Sequence, residues 1–419
     1  MRQPAATTVV APAPVRVESL PHPAEPQMLE NAHQIVARLL APVTVEDFLG
    51  RVLPGGVSIF KGGDTAARTE LLGPDPSALL IASFQLASKL TFHSANPLGP
   101  PPSLAGIAHA DDFRQRIGQF HERNYSVRFP ELRYFCNPLD TLARAFEALL
   151  HQPVTTSAFW SRGGMKAPVH HDDHDIIIIQ VRGAKRWYVS SEPSELPNTW
   201  PNFPGGTPQL GRHDIIDLRP GDMLYLPRGT NHTVDSDTES VHLSLGFTPL
   251  TVRQMLVAAI DHLSDFDRPW RKSIGGNLSL QLQGAGMERL ESLAAEAGTQ
   301  LLSALRTPGF LAMALQRRSS RAVGYLAALP TPPTLPELTL DTVLLQPPYA
   351  FCHLTANAEK IDFSYPGGHL YIHRGVQESV VYIANTRRFK VREIAGNVGD
   401  DIRLSLANQF LKIGFLEVE

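Results

Sequence analysis

Six consecutive polar, ionisable residues, His170 to Asp175, run directly into four isoleucines in the segment APVHHDDHDIIIIQVRGAKRWYV at 167–189. An isoleucine run of that density is a buried strand, so the His/Asp cluster sits at its mouth, where such groups are costly unless something binds there. In an extended chain residues i and i+2 face the same way. His170 and Asp172 therefore aim an imidazole and a carboxylate at one point, while His171 and Asp173 face away. A third donor is offered by LRPGDMLYLPRGTNHTVDS at 218–236, where turns at Pro220-Gly221-Asp222 and Pro227-Arg228-Gly229-Thr230 bracket a buried strand and lead to His232. Two imidazoles and one carboxylate form a facial triad that leaves positions on non-haem Fe(II) open for oxygen and a chelating cosubstrate. Zinc is the competing metal, because three protein ligands and a water also serve hydrolysis.

Those residues need a rigid frame. From Thr155 to Phe247 the chain is a series of short runs rich in β-branched and aromatic residues, TTSAFW, DIIIIQV, KRWYVS, DIIDL, DMLYLP and VHLSLGF, punctuated by Gly and Pro. That pattern predicts a β-sandwich or barrel. Ahead of it, helical spacing is expected from Met28 to Leu40 and from Asp140 to His151, with Asp140 as N-cap and Leu142, Phe146, Leu149 and Leu150 on the buried face. Helical periodicity returns after Pro249 and continues to about residue 330. The proline-rich LPTPPTLPEL at 329–338 is a linker, and a third unit follows in which RLSLANQFLKIGFLEV forms a helix stopped by Gly414. Residues 1–27, rich in Pro and Ala and without period, are expected to be a flexible tail.

Composition bounds the function. The chain has 419 residues, 43% hydrophobic and 19% charged, with a formal charge of -3. Two or three folded units are expected, and no global basic field draws nucleic acid or membrane. The two cysteines, Cys136 and Cys352, are too few for a disulfide framework or an all-thiolate zinc site. With no export signal or long apolar span apparent, a cytoplasmic setting is expected.

Residues 45–247 resemble the JmjC and cupin-type oxygenases that use Fe(II) and 2-oxoglutarate, and are similar in particular to the ribosomal oxygenases, a protein hydroxylase subgroup. The resemblance is carried by TVEDFL at 44–49, HHDDHDIIIIQVRGAKRWYV, LRPGDMLYLPRGTNH and VHLSLGF. It implies an α+β fold: a double-stranded β-helix (jelly-roll) core at 28–249 with flanking helices, a helical dimerisation region at 250–330 and a winged-helix-like domain at 331–419. It also implies that His170, Asp172 and His232 ligate iron, that Lys185 pairs with the distal carboxylate of 2-oxoglutarate, and that the Ser244 hydroxyl supports that carboxylate. The implied reaction hydroxylates a side chain of a protein or peptide, with a ribosomal protein as one candidate, and releases succinate and CO2; a homodimer is the implied assembly. A fixed ammonium suits this role for Lys185, because a buried dicarboxylate needs a cation.

One departure stands out. The family's Asn-x-Tyr ahead of the His-x-Asp strand is here Ser157-Ala158-Phe159, so an amide and a phenol are missing. The winged-helix-like region, with eight Lys and Arg against ten Asp and Glu from 331 to 419, has no phosphate-binding footprint. Protein interaction is favoured there over nucleic acid. Two other readings remain open on the residues alone: a non-oxidative metal-bearing cupin acting as hydrolase or isomerase, and a cupin binding module without activity.

Overall fold

Alternating apolar residues build two facing antiparallel sheets in the unit Pro26–Pro249. Along the chain the strands are β1 (Ser58–Phe60), β2 (Thr91–His93), β3 (Ser126–Pro130), β4 (Thr155–Ser161), β5 (Met165–Lys166), β6 (Asp175–Arg182), β7 (Lys185–Ser190), β8 (His213–Leu218), β9 (Met223–Leu226), β10 (His232–Ser236) and β11 (Ser240–Phe247). One sheet has the order β1-β9-β6-β11-β4-β3-β2 and the other β5-β10-β7-β8. The computed structural model describes residues 18–19, 25–198, 208–275 and 284–419.

The isoleucine run shows why the sheets pack this way. Seven of the eight β6 residues are buried, as expected for a strand covered on both faces. Ile176 and Ile178 join Trp187, Val189, Leu224, Leu226 and Val234 in the apolar layer between the sheets. Ile177 and Ile179, fully buried, point to the opposite face. On that side Tyr225, paired with Ile177, meets Phe48 at 5.9 Å, and Phe48 meets Phe146 at 6.3 Å. The helical layer there includes α1 (Glu25–Leu40), α2 (Ala110–Glu122) and α3 (Asn137–Leu150).

Arg68, with no exposed surface, ties this layer to the sandwich. Its guanidinium donates to the carbonyls of Leu39, Gly62 and Gly221 at 2.7–2.8 Å, and to that of Ala41. Gly221 belongs to the turn that starts β9.

Two sequence expectations are corrected. α1 begins at Glu25 rather than Met28. α3 begins at Asn137 with Cys136 as N-cap, so Asp140 is not the cap. Pro138 fits the first turn, where its missing N–H leaves no helical bond unmade, and the Asp140 carboxylate instead accepts from Arg133 and Arg144 at 2.7 and 2.8 Å. Of the expected tail, residues 1–17 and 20–24 lie outside the described residues, and Glu18–Ser19 form a short strand.

The other compact unit comprises Met1–Glu25 and Leu250–Glu419. It contains α4 (Val252–Phe266), α5 (Ala285–Leu305) and α6 (Phe310–Val323). Thr251 and Gln254 form a reciprocal capping box at the start of α4. The prolines at 330–336 coincide with irregular chain. Beyond them are β12 (Val343–Leu345), β13 (His353–Ala356), β14 (Lys360–Tyr365), β15 (Gly368–His373), α7 (Gln377–Asn385), β16 (Arg388–Lys390), α8 (Asp400–Lys412) and β17 (Glu417–Val418). Glu18–Ser19, β13, β14 and β15 form one sheet, and β16, β12 and β17 another. Gly414 ends α8 at φ +74°, a conformation glycine adopts without strain.

Candidate metal centre

The chain just before β6 runs antiparallel to the start of β10. His170 N–H donates to the His232 carbonyl at 3.0 Å, and the His170 carbonyl accepts from His232 N–H at 2.8 Å. The two histidines are thus locked opposite each other, with ring centroids 4.4 Å apart. Each Nδ1 lies 2.9 Å from the carbonyl two residues earlier, Pro168 for His170 and Thr230 for His232. A carbonyl only accepts, so each Nδ1 carries the proton and each Nε2 presents its lone pair. Asp172 Oδ2 is 3.8 Å from His232 Nε2. One donor atom from each of His170, Asp172 and His232 lies within 4.8 Å of the others, a cluster fit for a single cation. Burial, then the neighbouring His170, keep the His232 imidazole below its usual pKa and neutral, the form that ligates.

Two pins hold the segments that carry these donors. The N–H of Gly229 donates to the Asp172 carbonyl at 2.9 Å. Asp175, 1% exposed, accepts from Tyr225 Oη at 2.5 Å and from the Arg228 backbone and guanidinium at 3.2 and 3.0 Å. Burial and then the Asp175 charge push the Tyr225 phenol above its ordinary range. The turn Pro227–Thr230 is thereby fixed to the mouth of β6. Gly229 is required in it, since φ is +78° and a Cβ would lie 2.7 Å from the Leu196 nitrogen.

The donor set opens on a cavity of about 420 Å³ between the sheets, whose walls include Lys185, Trp187, His242 and Ser244. Lys185 is 2% exposed. Its Nζ donates to Ser161 Oγ at 2.9 Å, and Ser161 Oγ donates to Ser126 Oγ at 2.8 Å. Among the described residues it has no ion pair, and burial alone lowers its pKa to about 7. A buried cation without a counter-charge is costly. A carboxylate entering the cavity would remove that cost.

The five site residues named from sequence therefore line one cavity, three of them clustered as a donor set. Lys185 meets the Ser161 hydroxyl, while Ser244 is half-buried on β11. Ser161 and Ser126 escaped the sequence reading, because a lone serine in a strand has no local signature. His242 escaped too, although it lies two residues before Ser244 on the same strand face and period two pointed to it. Phe159, in the position of the missing phenol, stacks on His242. Elsewhere His171 Nδ1 is 3.3 Å from Asn231 Oδ1, and His213 is exposed.

Residues 135–255 match the family model described as the JmjC domain. The chain is 29% identical over 137 residues to ribosomal oxygenase 2 of Rattus norvegicus, covering 32% of this chain and 29% of that protein. It is 29% identical over 203 residues to the ribosomal protein uL16 3-hydroxylase of Escherichia coli (strain K12), covering 42% and 51%. The chain thus spans about half the length of these relatives or less. The solved structure of YcfD, a ribosomal oxygenase from Escherichia coli, in complex with cobalt and 2-oxoglutarate aligns with a TM-score of 0.50 at 17% identity. That alignment covers 90% of this chain and 99% of the other, a likeness of fold.

Proposed function

We propose that this chain, which carries a JmjC domain, is an oxygenase dependent on Fe(II) and 2-oxoglutarate that hydroxylates a side chain of a protein or peptide. The observation that carries the reading is the pairing, in one cavity, of a two-histidine, one-carboxylate donor set with a buried ammonium that has no acidic partner among the described residues. His170 and His232 would hold the metal through Nε2 and Asp172 through its carboxylate, leaving further positions open. Bound there with 2-oxoglutarate and oxygen, the iron supplies the oxidation of an unactivated C–H bond, with succinate and CO2 released.

The protein positions and shields. The Nδ1–carbonyl bonds fix both imidazole planes, and the Gly229 and Asp175 pins hold the turn ahead of His232. Lys185, steadied by Ser161, binds the carboxylate of 2-oxoglutarate remote from the metal, and Ser244 lends a hydroxyl from β11. Ile176, Ile178, Trp187 and Val234 keep that end dry, which strengthens each charge contact. At the rim Thr91, His93, Arg128 and Asp173 present both signs of charge to a peptide. The names of the rat and Escherichia coli relatives support a ribosomal protein as substrate.

The reading extends to the remaining regions. Residues 250–330 form a dimerisation region: no described residue of α5 is buried, and Leu293 and Leu302 are 41% and 50% exposed. Val252, Leu256 and Ile260 place a further apolar stripe on α4, at the i, i+4 spacing of one helix face. The winged-helix-like region 331–419 serves protein interaction. A cytoplasmic setting accords with Cys136 and Cys352, which are buried and form no disulfide. No helix among the described residues is long and apolar enough to cross a membrane.

The test is turnover by purified protein. Addition of Fe(II) is expected to start oxygen consumption and succinate formation from 2-oxoglutarate, and mass spectrometry of a ribosomal protein fraction should show a single added oxygen. Catalysis that proceeds without 2-oxoglutarate would contradict the reading in favour of a non-oxidative metal enzyme. Absence of both turnover and 2-oxoglutarate binding would leave a binding module.

A further inference from the structure

Two nitrogens on the cavity wall, His242 Nδ1 and Trp187 Nε1, are fully buried and have no hydrogen-bond partner among the described residues. His242 is 3% exposed. It stacks on Phe159 at 4.8 Å with the rings 10° from parallel, and meets Trp187 edge to face at 5.4 Å. Between two aromatic rings a phenylalanine would pack at no polar cost, whereas an imidazole leaves a nitrogen unsatisfied. Burial and then the nearby Lys185 hold the ring neutral, so it carries one N–H. His242, Ser244 and Gly246 alternate along the cavity face of β11. At Gly246 a Cβ would lie 2.7 Å from Thr155 Oγ1, so that end of the wall has no room for a side chain. The unsatisfied nitrogen and the ammonium line the same cavity, and among the described residues neither has a carboxylate acceptor.

We propose that His242 is a cosubstrate-binding residue: its Nδ1–H donates, beside Lys185, to the carboxylate of 2-oxoglutarate remote from the metal, in place of the phenol lost at Phe159. This rests on the function proposed above and names a residue that function did not require. An imidazole so placed selects for a dicarboxylate over a chelator that ends at the metal.

The experiment is calorimetric titration of anaerobic, Mn(II)-loaded protein with 2-oxoglutarate and separately with oxalate, a chelator lacking the distal arm. Replacing His242→Phe preserves the stacking and removes the donor. The expected result is an affinity for 2-oxoglutarate lowered about 10- to 100-fold, the worth of one hydrogen bond to a charged group, with oxalate and Mn(II) affinities unchanged. His242→Gln, which keeps an amide donor, should recover part of the loss. Trp187 fluorescence gives an independent readout of occupancy. Unchanged 2-oxoglutarate affinity in H242F would overturn the proposal. So would an equal loss of oxalate binding in both variants, which would make His242 merely structural. Failure of the unsubstituted protein to bind 2-oxoglutarate while binding Mn(II) and oxalate would instead overturn the cosubstrate assignment on which the proposal rests.

Discussion

His170 and His232 are backbone partners, exchanging two hydrogen bonds of 3.0 and 2.8 Å across the gap between the β6 mouth and the start of β10. The distance between the imidazoles is therefore set by this backbone bridge and not by side-chain flexibility. Two donors pinned to each other by backbone hydrogen bonds are held more precisely than donors on unpaired loops.

Asp175 transmits that rigidity, and its loss should be felt at the metal. With Arg228 paired to it at 3.0 Å and 2% of its own side chain exposed, Asp175→Asn leaves a guanidinium in a nearly dry site. The expected destabilisation is roughly 3–5 kcal/mol by urea unfolding, the usual cost of breaking a buried pair. Tyr225→Phe removes only the phenol donor and should cost about 1 kcal/mol. Equal stabilities of all three proteins would show that this pin does not hold the turn.

Lys185 makes binding pH-dependent in a definite direction. Its pKa in the ligand-free fold is about 7, so above that pH the amine is mostly neutral and an incoming carboxylate must recapture a proton. Affinity for 2-oxoglutarate should fall as pH rises from 7 to 9, and titrations in buffers of different ionisation enthalpy should show uptake approaching one proton per ligand at the upper end. Stability without ligand runs the other way. Between about 7 and the unfolded value near 10.4 the unfolded chain binds more protons, so Lys185 contributes a rise in stability with pH through that window. Lys185→Met should abolish both trends, and their persistence in K185M would remove Lys185 from the account.

Gly229→Ala tests the turn ahead of His232. At φ +78°, with the Leu196 nitrogen 2.7 Å from the added Cβ, the substitution is expected to cost about 1–3 kcal/mol and to weaken Mn(II) binding through displacement of His232. A variant with unaltered melting temperature and metal affinity would show that the turn accommodates a side chain.

How legible this site was depends on where its information lies along the chain. His170 and Asp172 could be paired from strand period alone, and His232 from the turn residues preceding it, because each signal is local. Lys185 needed a family resemblance to stand out from an ordinary strand-end lysine. Ser161 was not visible: it reaches Lys185 only because β4 and β7 contribute to the two sheets that enclose one cavity, a tertiary fact with no sequence period. Asp140 shows the reverse error. A capping residue was read at a helix start, but Pro138 extends the helix N-terminally and Arg133 and Arg144 claim the carboxylate. A β-sandwich or barrel core followed from its short β-branched runs, whereas the two-residue strand Glu18–Ser19, paired with Thr355 and Ala356, could not be separated from the irregular composition around it.

The exposed apolar residues of α5 lead to a prediction about assembly. Leu302, 50% exposed, changed to Glu should shift sedimentation from dimer toward monomer while leaving Mn(II) affinity unaltered. A monomeric unsubstituted protein, or a dimer indifferent to L302E, would contradict the assignment of residues 250–330 to dimerisation.

His170, Asp172 and His232 are expected to bind one metal ion together, and anomalous diffraction from crystals soaked in Co(II) decides whether they do. A single strong peak should appear in each copy, about 2.0–2.2 Å from both Nε2 atoms and from a carboxylate oxygen of Asp172, and no such peak in His232→Ala. A peak held by other residues, or none at these three under saturating metal, would contradict this assignment.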